Sequence, residues 1–479
     1  MGDITEIYGF VAALRNKIKE QPVDFDSETT IARHIASSIG KVLAELQITD
    51  EEPIVCGGNV YTYSDESGTW SRVAMGVLET LAQLYDGTYT ADPGGKPKRV
   101  NISYMKACNI ARSLLKLHEL QAPKFFDEPT QGIAFKNGFC TVSDYGAELG
   151  EHDPEHAATI AFDFECDEND TPPEKWLAFL DSLFANDGDE AISKINVIQE
   201  FIGCALAGGN LSVQQQRCMM WIGQGANGKS LLGELCEELL FPKATVTHVS
   251  PKKWDHEYAV ATLQDSMLNV VSELPETNAL ESSTFKAIIA GDPQIGRYPY
   301  GLPFTVSCKA AHIFSANNLP RTSDTSRGFF RRLIMVEFNE NFEDSPFRKS
   351  KEDFLKELMP ERSRIVAWFL RGAARVMRNG RYTELDSHKE QVTNWRRESD
   401  GVYDFMTSCL RQGTGTSTIA ELRNGYIDWA ERVGRLSAIG ERTLSRRLTD
   451  LGVVKRRTSA GMRYEVDIKS IREWSDTPN

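Results

Sequence analysis

One octapeptide in the sequence has the residue types and the spacing needed to hold a phosphate group. The pattern G-x-x-x-x-G-K-S is satisfied by Gly223, Gln224, Gly225, Ala226, Asn227, Gly228, Lys229 and Ser230. Its glycines allow backbone N–H groups to close around phosphate oxygens, and a following helix directs the positive end of its dipole at them. The loop therefore predicts a nucleotide site, with Lys229 on the γ-phosphate and the Ser230 hydroxyl on Mg²⁺.

The residues on either side of this loop predict the strand and the helix that must position it. The apolar run 218–222 precedes the loop, as a buried strand would. After the loop, leucines recur at the spacing of one helix face: Leu231, Leu232, Leu235 and Leu239. The motif thus lies in the strand, loop and helix order that it requires.

Two further apolar runs end in polar side chains suited to hydrolysis. The run 267–271 leads to Glu273, which can orient or deprotonate an attacking water and help to hold Mg²⁺. The run 310–314 leads to Asn317, whose amide can hold a water without titrating. Taken alone, the Asn-Asn pair before Pro320 is more typical of a turn than of a catalytic site.

A basic cluster follows and runs into another apolar stretch, 334–338. Its arginines are Arg327, Arg331 and Arg332. A guanidinium that reaches the γ-phosphate bound by a neighbouring copy stabilises the charge of phosphoryl transfer. One of these three arginines is therefore a candidate arginine finger.

The segment 295–308 has the pattern of a β-hairpin. Its two flanks enclose a Pro-Tyr-Gly-Leu-Pro turn at 299–303. Arg297 and Lys309 can neutralise phosphates, and Tyr300 can stack on a base. The alternative is a structural hairpin whose basic residues are incidental.

The C-terminal part predicts helices followed by a basic hairpin. A helical segment at 352–378 and a linker at 412–417 precede two amphipathic helices and a hairpin near 453–466. This order suggests a winged helix-turn-helix whose second helix directs Arg442, Arg446 and Arg447 away from its leucines. The alternative is a protein-contact module with a solvated basic face.

The order of these motifs resembles the superfamily 3 helicases of viruses, phages and plasmids. The resemblance is to the phage/plasmid primase-helicase family related to the poxvirus primase-helicase, and it covers about residues 130 to 480. The motifs that carry it are, in order, GQGANGKS, NVVSE, FKAIIAGDPQIGRYPYGLPF, KAAHIFSANNLP and RRLIMVEF. The polymerase-like primase domain of many relatives is not expected in this chain.

The resemblance implies roles for individual residues. Lys229 and Ser230 match the Walker A pair, Glu273 the Walker B acid and Asn317 the sensor 1 residue. Arg332 is the best match to the arginine finger, with Arg331 and Arg327 as rivals. Four residues match the family's intermediate motif: Lys286, Gly291, Asp292 and Arg297. The hairpin that follows this motif would grip single-stranded DNA in a central channel.

Composition bounds these expectations. The chain has 479 residues and a formal net charge of −14, and residues 1–196 hold 33 acids and 16 bases. Because acids repel a polyanion, a DNA partner is expected on the remainder of the chain. The nine cysteines are scattered like core residues of a reducing compartment. No apolar run is long enough for a membrane span, so a cytoplasmic location, in a bacterial host, is expected.

Together these features predict an α/β protein with a P-loop, AAA+-like parallel-sheet ATPase core. The predicted domains are an N-terminal α+β collar at 1–195, the ATPase core at 196–345, a helical extension at 346–411 and a winged helix at 412–479. The predicted function is an ATP- and Mg²⁺-dependent replicative DNA helicase. It would form a ring, hexameric by the resemblance, alongside a separate primase. The alternative is an initiator that binds duplex origin DNA and uses ATP only as an assembly switch.

Overall fold

The computed structural model describes most of the chain and divides it into two units. The described residues are 28–33, 35–36, 53–83, 85–87, 99–167, 171–208, 216–274, 280, 283–299, 301–320, 322, 324, 326–343, 349–435, 438–459 and 461–470. The first unit comprises Met1–Leu177, Gln199–Leu211 and Phe354–Tyr382, and the second comprises Ala178–Ile198, Ser212–Asp353 and Thr383–Asn479. Residues 354–382, expected in a separate helical extension, thus group with the N-terminal part of the chain.

The first unit contains two small antiparallel sheets. The strands of one are β1 (Ile54–Cys56), β2 (Asn59–Ser64) and β3 (Thr69–Val73), and those of the other are β4 (Gly132–Phe135), β5 (Gly138–Val142) and β6 (Ala147–Gly150). Strands β1 and β2 pair around the Gly57-Gly58 turn, with Cys56 opposite Asn59.

Helices of the first unit bury apolar faces in a shared core. They are Met75–Gln83, Tyr104–Leu114 and the helical residues 28–33 and 35–36. The helix Arg362–Asn379 instead contacts β5 and β6. The helix Tyr104–Leu114 begins after Ser103, whose side chain caps its first turn by accepting a bond from the Lys106 N–H. A 3₁₀ turn at Met359–Glu361, which contains Pro360, interrupts the helical segment expected at 352–378.

The second unit is built on a five-stranded parallel sheet. Its strands are β7 (Cys218–Ile222), β8 (Val246–Thr247), β9 (Leu268–Val271), β12 (Ala311–Ala316) and β13 (Leu333–Glu337), in the order β13-β7-β12-β9-β8. Four of the five strands are almost wholly buried, which explains why they read in the sequence as continuous apolar runs. The predicted α/β class is thereby confirmed.

Helices precede, separate and follow the strands of this sheet along the chain, and one hairpin follows β9. The hairpin strands are β10 (Gln294–Gly296) and β11 (Phe304–Val306), antiparallel as predicted but shorter. Besides Arg362–Asn379, the described α-helices between residues 174 and 399 are Glu174–Leu183, Ala191–Leu206, Lys229–Leu240, Glu257–Ala261, Ser283–Ala290, Arg327–Phe330, Lys351–Leu358 and Asp386–Ser399. Among the described residues, no helix is both long and apolar enough to cross a membrane.

The C-terminal residues of the second unit form a further core. Its helices are Gly401–Cys409, Ile419–Arg432 and Glu441–Asp450, and its strands are β14 (Leu410–Ser417), β15 (Lys455–Thr458) and β16 (Gly461–Ile468). The linker predicted at 412–417 is wrong, because these residues lie in β14, and Gln412 and Ser417 pair with β16 on either side of an irregularity. The error arose because the Gly/Thr-rich sequence shows no apolar alternation, whereas the pairing depends on a partner about 50 residues later.

Candidate active site

The phosphate loop and the two polar residues predicted from the sequence follow the carboxyl ends of three strands of the sheet. Strand β7 leads into the phosphate loop, β12 leads directly to Asn317, and β9 leads to Glu273. Backbone bonds hold these ends together: the Gly223 N–H donates to the Ala316 carbonyl at 3.3 Å, and the Leu274 N–H to the Ser315 carbonyl at 2.9 Å. Since carboxyl ends of parallel strands meet at one edge, the sheet assembles the loop, the acid and the amide there.

The loop has a backbone shape that its sequence permits. Gly228 has φ of 84° and precedes the first residue of the helix Lys229–Leu240. A Cβ at this position would lie 2.4 Å from the Leu183 side chain, so both the conformation and the space require glycine. The residues of the loop therefore end at a helix N-terminus, where backbone N–H groups attract an anion.

Lys229 is buried at the start of that helix. Its Nζ donates to the Gly223 carbonyl at 2.6 Å and to Asn227 Oδ1 at 3.0 Å. Burial lowers the pKa of the Lys229 ammonium, because a low-dielectric surrounding disfavours its charge. Both acceptors are neutral oxygens, so the charge of the ammonium is not balanced and an anion can bind to it.

Asn227 connects the loop to the segment 338–342, which follows β13. Its Nδ2 donates to the Phe338 carbonyl at 3.2 Å while its Oδ1 accepts from Lys229. The Phe342 N–H donates to the Ala226 carbonyl at 2.7 Å, a second bond between the same two segments. In the sequence Asn227 is one of the variable positions of the motif, so its role in holding Lys229 was not predicted.

A buried ion pair lies behind this segment. Lys194 Nζ is 2.7 Å from Asp187 Oδ1 and also donates to the Glu337 carbonyl at 3.0 Å. Asp187 Oδ1 accepts a further bond from Asn339 Nδ2 at 2.7 Å. These contacts tie residues 337–339 to the helix Ala191–Leu206. These contacts could not be predicted from local sequence patterns, because the partners are about 145 residues apart.

The residues proposed for Mg²⁺ and water are accessible. Ser230, Glu273 and Asn317 are all exposed, unlike the strand residues that precede the latter two. A hydroxyl and a carboxylate are the oxygen ligands that Mg²⁺ prefers. The nearby Glu276 lies outside the described residues.

The candidate arginine fingers differ in exposure. Arg332 is buried, and its Nη1 donates to the Gly328 carbonyl at 2.5 Å. Burial lowers the pKa of Arg332, as does the adjacent Arg331, while nearby carboxylates act in the opposite direction. Arg331 is exposed, and the side chain of Arg327 lies outside the described residues. In this conformation Arg331, rather than Arg332, is positioned to reach another molecule.

Several predicted DNA contacts are engaged within the chain. Lys286 forms an ion pair with Asp324 at 2.9 Å, and Arg297 Nε donates to the Gly301 carbonyl at 3.0 Å. Arg447 forms an ion pair with Asp400, which also accepts bonds from the first N–H groups of the helix Gly401–Cys409. Of the other predicted DNA contacts, Arg442 and Arg446 are exposed and Lys309 is half-buried. Tyr300 lies outside the described residues.

Part of the chain matches a protein family, and solved structures of one other protein are similar to it. Residues 221–332 match a family described as "Family of unknown function (DUF5906)". The solved structures of the NrS-1 C-terminal region are similar in outline: one in an apo A form has 10% identity, a TM-score of 0.48 and coverage of 90% of this chain and 99% of that one. Another apo structure of residues 305–718 has 11% identity, a TM-score of 0.45 and coverage of 90% and 98%. No curated protein matches the chain.

Proposed function

We propose that this chain is an ATP-hydrolysing motor that moves along single-stranded DNA. The observation that carries the proposal is the convergence of the phosphate loop, Glu273 and Asn317 at one edge of the parallel sheet. These are the groups that bind phosphates, activate water and orient water in phosphoryl transfer. On the same grounds, we propose that the five-stranded parallel sheet and its helices form a P-loop ATPase core.

The residues present fit a nucleotide triphosphate and its metal ion. Lys229 is a buried cation whose hydrogen-bond partners are neutral oxygens. Phosphate oxygens would supply an anionic partner for this buried charge. Ser230 and Glu273 would hold Mg²⁺, which would neutralise charge on the phosphates. The exposed position of both side chains leaves their oxygens accessible to an ion.

The chain's own residues would share the work of hydrolysis. Lys229 would move from the Gly223 carbonyl to the γ-phosphate and stay close to Asn227. Glu273 would accept a proton from the attacking water, and Asn317 would orient that water by hydrogen bonds. An arginine from a neighbouring copy would stabilise the charge that develops on the γ-phosphate.

A second candidate, an ATP-switched initiator that binds duplex DNA, is favoured by one surface. Arg442 and Arg446 are exposed on the helix Glu441–Asp450, and every residue of the strand β15, which contains Lys455, Arg456 and Arg457, is exposed. An exposed basic helix followed by a basic hairpin fits the groove and the backbone of a duplex. We propose that this winged-helix-like part binds duplex DNA in either case.

ATP hydrolysis by a Lys229→Ala variant tests the proposal. We expect the release of phosphate to fall at least about a hundredfold, because the variant lacks the cation on the transferred phosphoryl group. Lys243→Ala is the matched control, since this exposed lysine lies just after the same helix and should leave the rate unchanged. Full hydrolysis by the Lys229 variant would overturn the assignment.

A further inference from the structure

The order of the strands defines the direction in which a nucleotide lies on the phosphate loop. The loop follows β7, and the strands that lead to Asn317 and Glu273, β12 and β9, lie on one side of β7. A γ-phosphate held beside these two residues directs the nucleoside end of the nucleotide to the other side of β7. The strand on that side is β13, so the segment that follows β13 is expected beside the nucleoside.

Two hydrogen bonds hold the segment after β13 against the loop. Asn227 Nδ2 donates to the Phe338 carbonyl at 3.2 Å, and the Phe342 N–H donates to the Ala226 carbonyl at 2.7 Å. Glu340 lies midway between these two anchored residues and is half-buried. Its carboxylate is therefore held near the phosphate loop, and the part of a bound nucleotide within its reach is the part next to the phosphates.

Asn186 holds the carboxylate of Glu340 in one orientation. The Asn186 N–H donates to Glu340 Oε1 at 2.6 Å, and Asn186 Nδ2 donates to Glu340 Oε2 at 2.9 Å. Asn186 lies in the turn just after Leu183, the residue whose side chain a Cβ on Gly228 of the loop would meet. Because both oxygens are already held, a ligand that binds the carboxylate costs little further side-chain freedom.

The carboxylate of Glu340 keeps acceptor capacity after these two bonds. An ionised carboxylate has about four lone-pair sites, and Asn186 uses two of them. Asn186 is neutral, so it does not balance the negative charge. A negative charge repels phosphate oxygens and attracts O–H and N–H donors. The group that binds at Glu340 is therefore a neutral donor of the nucleotide rather than one of its phosphates.

The ribose hydroxyls are the donors of a nucleotide that fit this position best. One methylene group separates the ribose from the phosphates, whereas the hydrogen-bonding edge of the base lies at the far end of the molecule. The 2′ and 3′ hydroxyls are neighbours, so they can donate to the two oxygens of one carboxylate. Acidic side chains hold the ribose of dinucleotides by the same kind of bond.

We propose that Glu340, held by Asn186, accepts hydrogen bonds from the ribose hydroxyls of the bound nucleotide and makes the site selective for ribonucleotides over 2′-deoxyribonucleotides. Asn186 is a positioning residue, because it contacts the carboxylate and not the nucleotide. The proposal rests on the proposed nucleotide site and adds the class of nucleotide that this site takes.

Calorimetric titration of the full-length protein with ADP and with 2′-deoxy-ADP, both with Mg²⁺, tests the proposal without any hydrolysis. We expect the wild type to bind ADP about tenfold more tightly, because 2′-deoxy-ADP lacks one hydrogen bond to a charged acceptor. Glu340→Ala should bind ADP more weakly and should bind the two nucleotides equally. The control Glu343→Ala removes an exposed carboxylate of the same segment and should keep the tenfold preference.

The ratio of the two affinities separates recognition of the ribose from an effect on folding. Protein that is misfolded binds neither nucleotide and leaves the ratio of the folded fraction unchanged. Glu340→Gln keeps the size of the side chain but removes its charge, so it should reduce the preference. Asn186→Ala, which removes the Nδ2 donor and keeps the backbone N–H, should reduce the preference without abolishing it.

The outcomes separate this proposal from the proposed motor. Equal binding of the two nucleotides by the wild type, or an unchanged ratio in both Glu340 variants, would overturn it even if ATP is hydrolysed. Tighter binding of GDP than of ADP, lost in Glu340→Ala, would overturn it in favour of a contact with the base. A preference for ADP that depends on Glu340, in a protein that hydrolyses no ATP, would support it and reject the motor. A wild type that binds no nucleotide would overturn both.

Discussion

At the scale of single residues, Lys229 shows how the site is arranged before a ligand arrives. A buried ammonium is costly unless it is paired, and here the Gly223 carbonyl and Asn227 Oδ1 hold it. Neutral acceptors compensate the buried charge of Lys229 only in part, so an anion that replaced one of them would stabilise the ammonium further. Asn227 therefore positions the Lys229 ammonium as well as joining the loop to Phe338.

The arginines give a prediction at the same scale. Arg331→Ala should lower kcat about 10³-fold while leaving nucleotide affinity largely intact, because an exposed guanidinium can act on the neighbouring copy's phosphate. Arg332→Ala should also lower kcat, and in addition it should lower the melting temperature, since it removes a buried side chain bonded to the Gly328 carbonyl. Steady-state kinetics and thermal melting of both variants provide the measurements.

A normal kcat in the Arg331 variant would contradict this assignment. If Arg332→Ala then lost activity at an unchanged melting temperature, the finger would be Arg332, as the family resemblance implies. The sequence predicted the basic cluster but not this distinction. Side-chain burial depends on packing between residues distant in the chain, which the order of motifs does not contain.

At the scale of secondary-structure elements, a buried polar network ties three strands of the sheet. Asn269 on β9 accepts from the Val249 N–H at 2.7 Å and from Thr247 Oγ1 at 3.1 Å through its Oδ1. Its Nδ2 is 3.2 Å from Nδ1 of His312 on β12. The strands of Asn269 and His312 lead to Glu273 and Asn317, so the network holds together the two strands that precede these candidate residues.

His312 makes this network sensitive to acid. Burial lowers the pKa of His312 to about 3, below its ordinary value near 6.5, because the charged ring is disfavoured inside the protein. The unfolded chain therefore binds a proton that the folded chain does not between these two pKa values. The stability that the neutral ring contributes is complete above about pH 6.5 and is lost as the pH falls toward 3.

We predict that His312→Gln flattens the acid side of the stability profile. Below pH 6.5 the wild type should lose up to about 1.4 kcal/mol per pH unit more than the variant. Urea unfolding at pH 7, 6 and 5 measures the difference. His388, whose pKa burial lowers to about 4, is present in both proteins, so its contribution cancels. The exposed His256→Gln is the control, and identical pH slopes for wild type and His312→Gln would refute the account.

The sequence predicted these elements to different extents. The strands β7, β9, β12 and β13 were predicted within two residues of their observed ends, because parallel strands buried on both faces read as apolar runs. Strand β14 was missed because its pairing with β16 leaves no local pattern. The convergence of loop, acid and amide followed from strand order, whereas the network around Asn269 required the three-dimensional structure.

At the scale of the whole molecule, the second unit joins the sheet to the C-terminal core through one helix. Trp395, in the helix Asp386–Ser399, is buried among residues of the sheet core, and its Nε1 donates to the Pro320 carbonyl at 2.9 Å. The C-terminal core begins only at Val402. The helix thus belongs with the sheet, and the separable part of the chain begins after it.

We therefore predict that removing residues 400–479 leaves basal ATP hydrolysis within about twofold of the wild type and weakens duplex DNA binding. A deletion that starts at residue 412 should instead aggregate, because it removes β16 from β14 and uncovers the buried Phe405. The full-length double variant Arg442→Ala, Arg446→Ala should reproduce the loss of duplex binding. Unaltered duplex affinity in that variant would make this part a protein-contact module.

The central claim is that hydrolysis at the Lys229 loop is coupled to a single strand of DNA. The most direct test is the rate of phosphate release from ATP with and without saturating single-stranded DNA, with Lys229→Ala as the blank. The account predicts that the single strand increases the wild-type rate several-fold and that the blank stays inactive in both conditions. A wild-type rate that is the same with and without the strand would contradict it.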